Sequence, residues 1–185
     1  MNVTDGELEV GTPPKRWLRS HSIGIVLFLI LQSIPHFVPS LQIKLFSEPA
    51  ARAAAIFLGT PLSIEPDAIT LAHRSIEVAV TEACSGFDFF CLLTSLLIGL
   101  TFFKSEPKMA LKRACLIPAV VYVLTLLGNT SRIVSAVQFR SATFGNIPAS
   151  FDGIIHQSIG VAVFVTVLVL SWNFLTNYYD RQQST

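Results

Sequence analysis

Residues 154–175 read IIHQSIGVAVFVTVLVLSWNFL, an apolar run without a single Asp, Glu, Lys or Arg. A helix needs about 20 predominantly apolar residues to cross a bilayer, so this stretch alone predicts a membrane span. The composition of the whole chain agrees: of 185 residues, 51% are hydrophobic and only 14% charged, with a mean hydropathy of +0.59. That balance is too apolar and too poor in charge for an ordinary soluble domain. Further apolar windows cover residues 23–38, 87–103 and 114–127. The second reaches spanning length with Ser85 and Gly86 at its rim, while the first and third need their flanks. Pro118 lies inside the third, where it is tolerated if neighbouring groups satisfy the carbonyl it frees. The expected fold class is an all-α polytopic membrane protein with about four transmembrane helices. One integral-membrane domain is expected over residues 1–185, with residues 1–20 and 176–185 as tails.

Lys15, Arg16 and Arg19 precede the first window in the manner of a secretory signal peptide. No small-x-small cleavage pattern follows, because the run ends in Ile34-Pro-His-Phe-Val-Pro39, so the segment is expected to stay as a span. Basic residues then set the orientation. With both termini in the cytoplasm, eight basic residues fall inside and five outside, and the compact 104–113 loop alone holds four basic residues and one acid. Short loops dominate this bias. The net charge of +1 excludes a nucleic-acid partner, which requires a basic field.

The outer segment between the first and second spans, 39–86, is long enough for structure of its own. Ser47-Glu-Pro-Ala-Ala reads as an N-cap and helix start with proline in the first turn, and Gly59 as its stop. Ala50, Ala53, Ala54, Phe57 and Leu58 share one face, which predicts a short extracytoplasmic helix lying on the membrane surface or against the bundle. Residues 69–72 and 76–81 alternate apolar and polar around His73-Arg74-Ser75, the pattern of a small β-hairpin. That hairpin delivers the chain to Cys84.

Three cysteines are present. Cys84 falls at the outer surface, Cys91 within the second span and Cys115 near the inner surface. Seven residues on one helix are about 10 Å, beyond disulfide reach, and Cys91 and Cys115 read as small packing residues. Cys84 stands differently, directly before a span in Val80-Thr-Glu-Ala-Cys-Ser-Gly-Phe87. Gly86 permits a sharp turn that places the thiol at a helix N-terminus, where amides and the helix dipole favour thiolate. The amides of Ser85 and Gly86 are also candidate donors to an oxyanion. Glu82 and Asp88 oppose this by raising the thiol pKa, so a cation is needed nearby. Arg132 is the candidate, one helical turn from Asn129 as the third span reaches the outer surface. On its own it would read as an arginine snorkelling to headgroups. His156 opens the fourth span at the same level, four residues before Gly160, a notch through which another helix can approach. Ionisable groups at membrane depth are functional suspects. One thiol, one guanidinium and one imidazole from three spans meet the needs of acyl transfer through cysteine. The sequence carries no metal-ligand cluster, phosphate loop or nucleotide fingerprint, and the chemistry requires no metal or cofactor.

These motifs resemble the exosortase and archaeosortase family. Ala83-Cys84-Ser85-Gly86 precedes one span, Asn129-Thr130-Ser131-Arg132 ends the next, and His156-Gln157-Ser158-Ile159-Gly160 opens the one after that. The resemblance implies a prokaryotic cell-membrane enzyme, similar to soluble sortases in chemistry but not in fold. It further implies partners that are exported proteins with a C-terminal motif, a membrane helix and a basic tail, cleaved at the extracytoplasmic face beside membrane lipids. Two alternatives stand beside it: a membrane lipid phosphatase using His156 and Arg132, and a non-catalytic membrane assembly protein. The usual Ser-Arg-x5-His context of the phosphatase is absent, since no histidine follows Arg132 before His156.

Overall fold

The computed structural model describes residues 15–38, 40–65, 69–73, 76–81, 84–143 and 152–183. Among these, four helices are long and apolar enough to cross a membrane. They are α1 (Lys15–Phe37), α3 (Phe87–Lys104), α4 (Pro107–Thr143) and α5 (Asp152–Gln183). Each corresponds to one apolar window of the sequence, and α1 and α4 continue through Pro35 and Pro118. At 37 residues, α4 is about 55 Å long, well beyond the ~30 Å hydrocarbon core of a bilayer. Its apolar window looks short because the helix runs on past it. The far part, with Ile133, Val134 and Val137, packs against other protein elements instead.

Small residues set the contact of α1 with α3. A methyl group at Gly24 would sit 3.1 Å from the Ser95 carbonyl oxygen, and one at Gly99 would sit 3.3 Å from that of Ser20. In lipid there is no hydrophobic drive to bring helices together, so close backbone approach through such small-x-x-x-small pairs supplies the packing. The other helices close around Phe89, Leu93, Leu97 and Val121, with Phe164 and Leu168 of α5 against them.

Between α1 and α3 the chain builds a cap. A π-helical turn, Ile43–Ser47, leads without a break into α2 (Glu48–Leu58), and Gly59 ends the helix in the left-handed region at φ 63°. Ser47 is therefore not an N-cap. Its backbone is helical and its hydroxyl reaches the Thr81 carbonyl at 3.4 Å. The buried face of α2 is also rotated from the expected one: Ala50, Ala51, Ala54 and Ala55 are buried, while Ile56 and Phe57 are 83% and 75% exposed. Tertiary contact with α4 and the sheet fixes that face, and the five alanines of the helix do not differ in size to distinguish it. The hairpin forms as β2 (Ile69–His73) and β3 (Ile76–Val80), paired antiparallel with Leu71 opposite Val78. A third strand, β1 (Leu62–Ile64), pairs with β2 and gives the order β1-β2-β3. Three residues are too few for alternation to reveal a strand. α2, the inner face of the sheet and the far part of α4 share one core, and Cys84 belongs to it.

At the opposite end, the expected 104–113 loop is mostly helix, because α4 starts at Pro107. Lys104 pairs with Asp180 at 2.8 Å, Arg113 bonds Gln182 at 2.8 Å, and Tyr179 donates to Thr101 at 3.0 Å. This polar network ties α3, α4 and α5 at that end.

Replacing Gly24 by Val forces a side chain against a backbone carbonyl that cannot turn aside, and is expected to destabilise the protein by about 1–3 kcal/mol. Gly153, around which no atom lies within 4 Å of an added methyl, is the control. Thermal unfolding in detergent micelles should show a lowered midpoint for Gly24→Val and none for Gly153→Ala.

Candidate active site

Cys84 lies in a tight turn between β3 and α3. Its amide donates to the Thr81 carbonyl at 2.9 Å, and Gly86 follows at φ 72°. That φ suits glycine, and space demands it too: a methyl there would meet Phe164 and Thr125 at 3.2 Å. Ser85 is buried and its hydroxyl accepts the Phe87 amide at 3.2 Å, covering an amide that the first turn of α3 leaves without a partner. The turn is anchored from α4. Asn129, fully buried, donates through Nδ2 to the carbonyl of Cys84 and, at 3.2 Å, to that of Ser85.

His156 stands in the first part of α5, and its Nε2 is 3.3 Å from Cys84 Sγ. Arg132, one turn after Asn129, is 8% exposed. It does not snorkel outward but lies inside the bundle, with its guanidinium carbon 6.0 Å above the Phe164 ring. Gly160 makes room for it: a methyl at that position would be 2.6 Å from Arg132 Nε and 3.0 Å from Cζ. The structure thus brings together Cys84, Asn129, Arg132, His156 and Gly160 with Ser85 and Gly86, from the β3–α3 turn, α4 and α5.

A cleft of about 530 Å³ opens beside them, lined by Cys84, Arg132, His156, Gln157 and Arg140 on one side and by β3 on the other. Arg132 also borders an apolar groove between α3 and α5 that includes Leu92 and Phe164. Cys84 itself is 6% exposed.

The thiol is poised by opposing effects. Burial is the largest and raises its pKa; the bond to His156, a backbone hydrogen bond from Thr81 and the charges of His156 and Arg132 lower it. The result is a fall from 9.0 to about 7. The expected opposition from Asp88 is not among the influences on the thiol, and its carboxylate is engaged with α1, where it accepts from Gln32 at 3.0 Å. Glu82 lies outside the described residues. All three cysteines are free: Cys91 is buried as expected, but Cys115 is exposed and does not pack inside the bundle.

Sequence reasoning missed Phe164, which stacks on Phe89 with ring centroids 4.5 Å apart while supporting Arg132 and closing on Gly86. Its signal was present, because 156, 160 and 164 recur every four residues on one helix face. It also missed Arg140, on the face of α4 that holds Arg132 and Ala136 against the cleft.

The sequence model of the transmembrane exosortase family matches residues 14–173. The chain belongs to that family. The match takes in all of α1, α3 and α4, most of α5, and every residue of the cluster just described. Comparison with curated proteins and with solved structures returned no match. The family is described as transmembrane, and the four helices long and apolar enough to cross a membrane agree.

With a lowered pKa, thiolate accumulates as pH rises through about 7, and thiolate is the form that alkylates. Iodoacetamide labelling of Cys84, followed by peptide mass spectrometry, should show its inflection near that pH. His156→Ala or Arg132→Gln removes a lowering influence and leaves burial in place, so the inflection should move upward in both. An unchanged inflection in the two variants would contradict the assigned causes.

Proposed function

We propose that this exosortase is a cysteine peptidase or transpeptidase that cleaves C-terminal sorting signals of exported proteins through a thioacyl intermediate on Cys84. Family membership implies sorting-signal processing. The observation that carries the finer reading is the 3.3 Å approach of Cys84 Sγ to His156 Nε2, from positions 72 residues apart in the chain, with Arg132 beside the pair. Nucleophile and base within hydrogen-bond reach, with a third group fixing the site, is the signature of activated nucleophilic catalysis.

On this reading the Cys84 thiolate attacks the scissile carbonyl carbon, forming a C–S bond and an oxyanion. The Arg132 guanidinium, and the Ser85 and Gly86 amides, are the proposed donors to that oxyanion. Collapse breaks the C–N bond, and His156 gives its proton to the departing amine. An acceptor, water or another nucleophile, then loses a proton to His156 and attacks the thioester, which releases the thiolate. Asn129 positions the turn and Gly160 admits the guanidinium. The distribution of basic residues supports both termini in the cytoplasm and the cleft at the extracytoplasmic rim, and the family resemblance supports a prokaryotic cell membrane. The substrate is an exported protein with a motif, a membrane helix and a basic tail. The apolar groove between α3 and α5 is bordered by Arg132 and Gln157, which also line the cleft, and offers that helix a path to it.

A lipid phosphatase would need His156 free to attack phosphorus, and the engagement of its Nε2 with sulfur counts against that reading. Coexpression with a sorting-signal protein separates the alternatives. Cys84→Ala should abolish processing, while His156→Ala should lower its rate by about 10²–10⁴-fold. Arg132→Lys should also be impaired, because a lysine keeps the charge but loses the planar fork. A substrate–enzyme thioester should be trappable on Cys84 in the His156 variant. Processing that survives Cys84→Ala would overturn the proposal.

A further inference from the structure

Among the described residues the sheet order β1-β2-β3 leaves β3 with one strand neighbour, and its other edge borders the cleft that holds Cys84: Glu77, Val78, Ala79 and Thr81 all line it. The register shows which backbone groups face that edge. The Ala72 amide donates to the Pro61 carbonyl at 3.3 Å, on the β1 side. Successive residues of a strand direct their N–H and C=O groups to opposite sides in the plane of the sheet. Thr70 and Ala72 therefore address β1, and Ile69, Leu71 and His73 address β3. Their opposite numbers Val80, Val78 and Ile76 complete that ladder. Glu77 and Ala79, which alternate with them, direct their backbone groups away from β2 and into the cleft. Among the described residues neither meets a backbone partner there.

An unpaired edge is a template for an extended chain, and strand addition is a recurring way to hold a peptide by its main chain. Here the template ends beside a thiol. The side chains agree, since Glu77 and Ala79 are exposed while Ile76 and Val80 are buried in the core. Ala79, with its single methyl, allows close approach.

We propose that the free edge of β3 is a docking strand for the extended segment of the exported substrate that carries the scissile bond, which joins the sheet as a fourth strand and is led across Cys84. The inference rests on the acyl-transfer reading and deepens it. Recognition then resides partly in main-chain hydrogen bonds at Glu77 and Ala79, and side-chain selectivity is left to the facing wall of Arg132, Arg140 and Gln157. A peptide is the occupant because an extended backbone supplies the alternating donors and acceptors that this edge lacks. A lipid acyl chain supplies neither.

The test uses the full-length protein in detergent and two thiol-directed probes, acetyl-alanine chloromethyl ketone and its tetra-alanine homologue. In each, the Cys84 thiolate forms a C–S bond as chloride leaves. Two added main-chain hydrogen bonds should raise the rate of Cys84 alkylation by the longer probe about tenfold. N-methylation of the longer probe should abolish that gain at alternate residues only. Ala79→Pro removes a cleft-facing amide without touching the β2 ladder, and should also abolish the gain while iodoacetamide labels Cys84 at the same rate. Equal rates for the short and long probes, or N-methyl effects without alternation, would overturn the docking strand. Should Ala79→Pro fail to fold, the N-methyl series on the unaltered protein decides alone. Failure of the acyl-transfer reading looks different: Cys84 would then show no inflection near pH 7 with iodoacetamide, and Cys84→Ala would still process the substrate.

Discussion

The hold of Asn129 on the Cys84–Ser85 turn is the constraint from which the arrangement of the site follows. The chain must pass from a sheet into a membrane helix, and on the way it leaves two carbonyls outside any ladder or helix. Buried and unpaired, each would cost about 1–3 kcal/mol. One amide from α4 satisfies both. The bond does more than stabilise, because it fixes the register of α4 against the turn. Arg132 lies three residues further along α4, so the step that satisfies the carbonyls also delivers the guanidinium to the level of the thiol. α4 can serve in this way because it outruns the apolar window, carrying polar residues into the α2 and sheet core where a span of minimal length would already have ended.

The approach of α5 is set by two glycines and one ring. Gly86 leaves a surface on which Phe164 rests, and Gly160 leaves a channel that Arg132 fills. Phe164 stacks on Phe89 and so fastens α5 to the start of α3. With that contact made, the helical repeat raises His156 two turns to the sulfur. The opposite end is tied separately by Lys104–Asp180 and by Arg113 with Gln182 and the tyrosines, so the tilt of α5 is held at both extremes. Position 156 is thus the outcome of packing over the length of the helix.

The spans were legible because hydropathy over about 20 residues reports a solvent requirement that tertiary contacts do not override. The family was legible because Ala83–Gly86, Asn129–Arg132 and His156–Gly160 keep an order relative to those spans. What escaped was decided by neighbours. The buried face of α2 could not be read from its alanines, since Ala50, Ala51, Ala53, Ala54 and Ala55 are alike until α4 and β2 select four of them. Ser47 matched a capping pattern, but the preceding π-helical turn had already committed its backbone, and its hydroxyl turned to Thr81. Cys115 looked like a packing residue because composition cannot say which way a helix faces. Phe164 shares the four-residue spacing of His156 and Gly160, but as one large residue in a run of apolar ones it was not singled out.

Burial is the largest influence on the Cys84 thiol and acts to keep it protonated, as expected for an ionising group taken from water. The contributions of His156, Thr81 and Arg132 act against it, and their sum prevails. Thr81 belongs to the same turn as the cysteine, but His156 arrives on α5 and Arg132 on α4. A chain in which α5 has not docked therefore carries a buried thiol without its strongest opposing contact, and that thiol remains a poor nucleophile. The same low polarity that would silence an isolated cysteine also strengthens each compensating interaction once the helices are in place. Reactivity at position 84 is in this sense a property of the closed bundle and not of the residue.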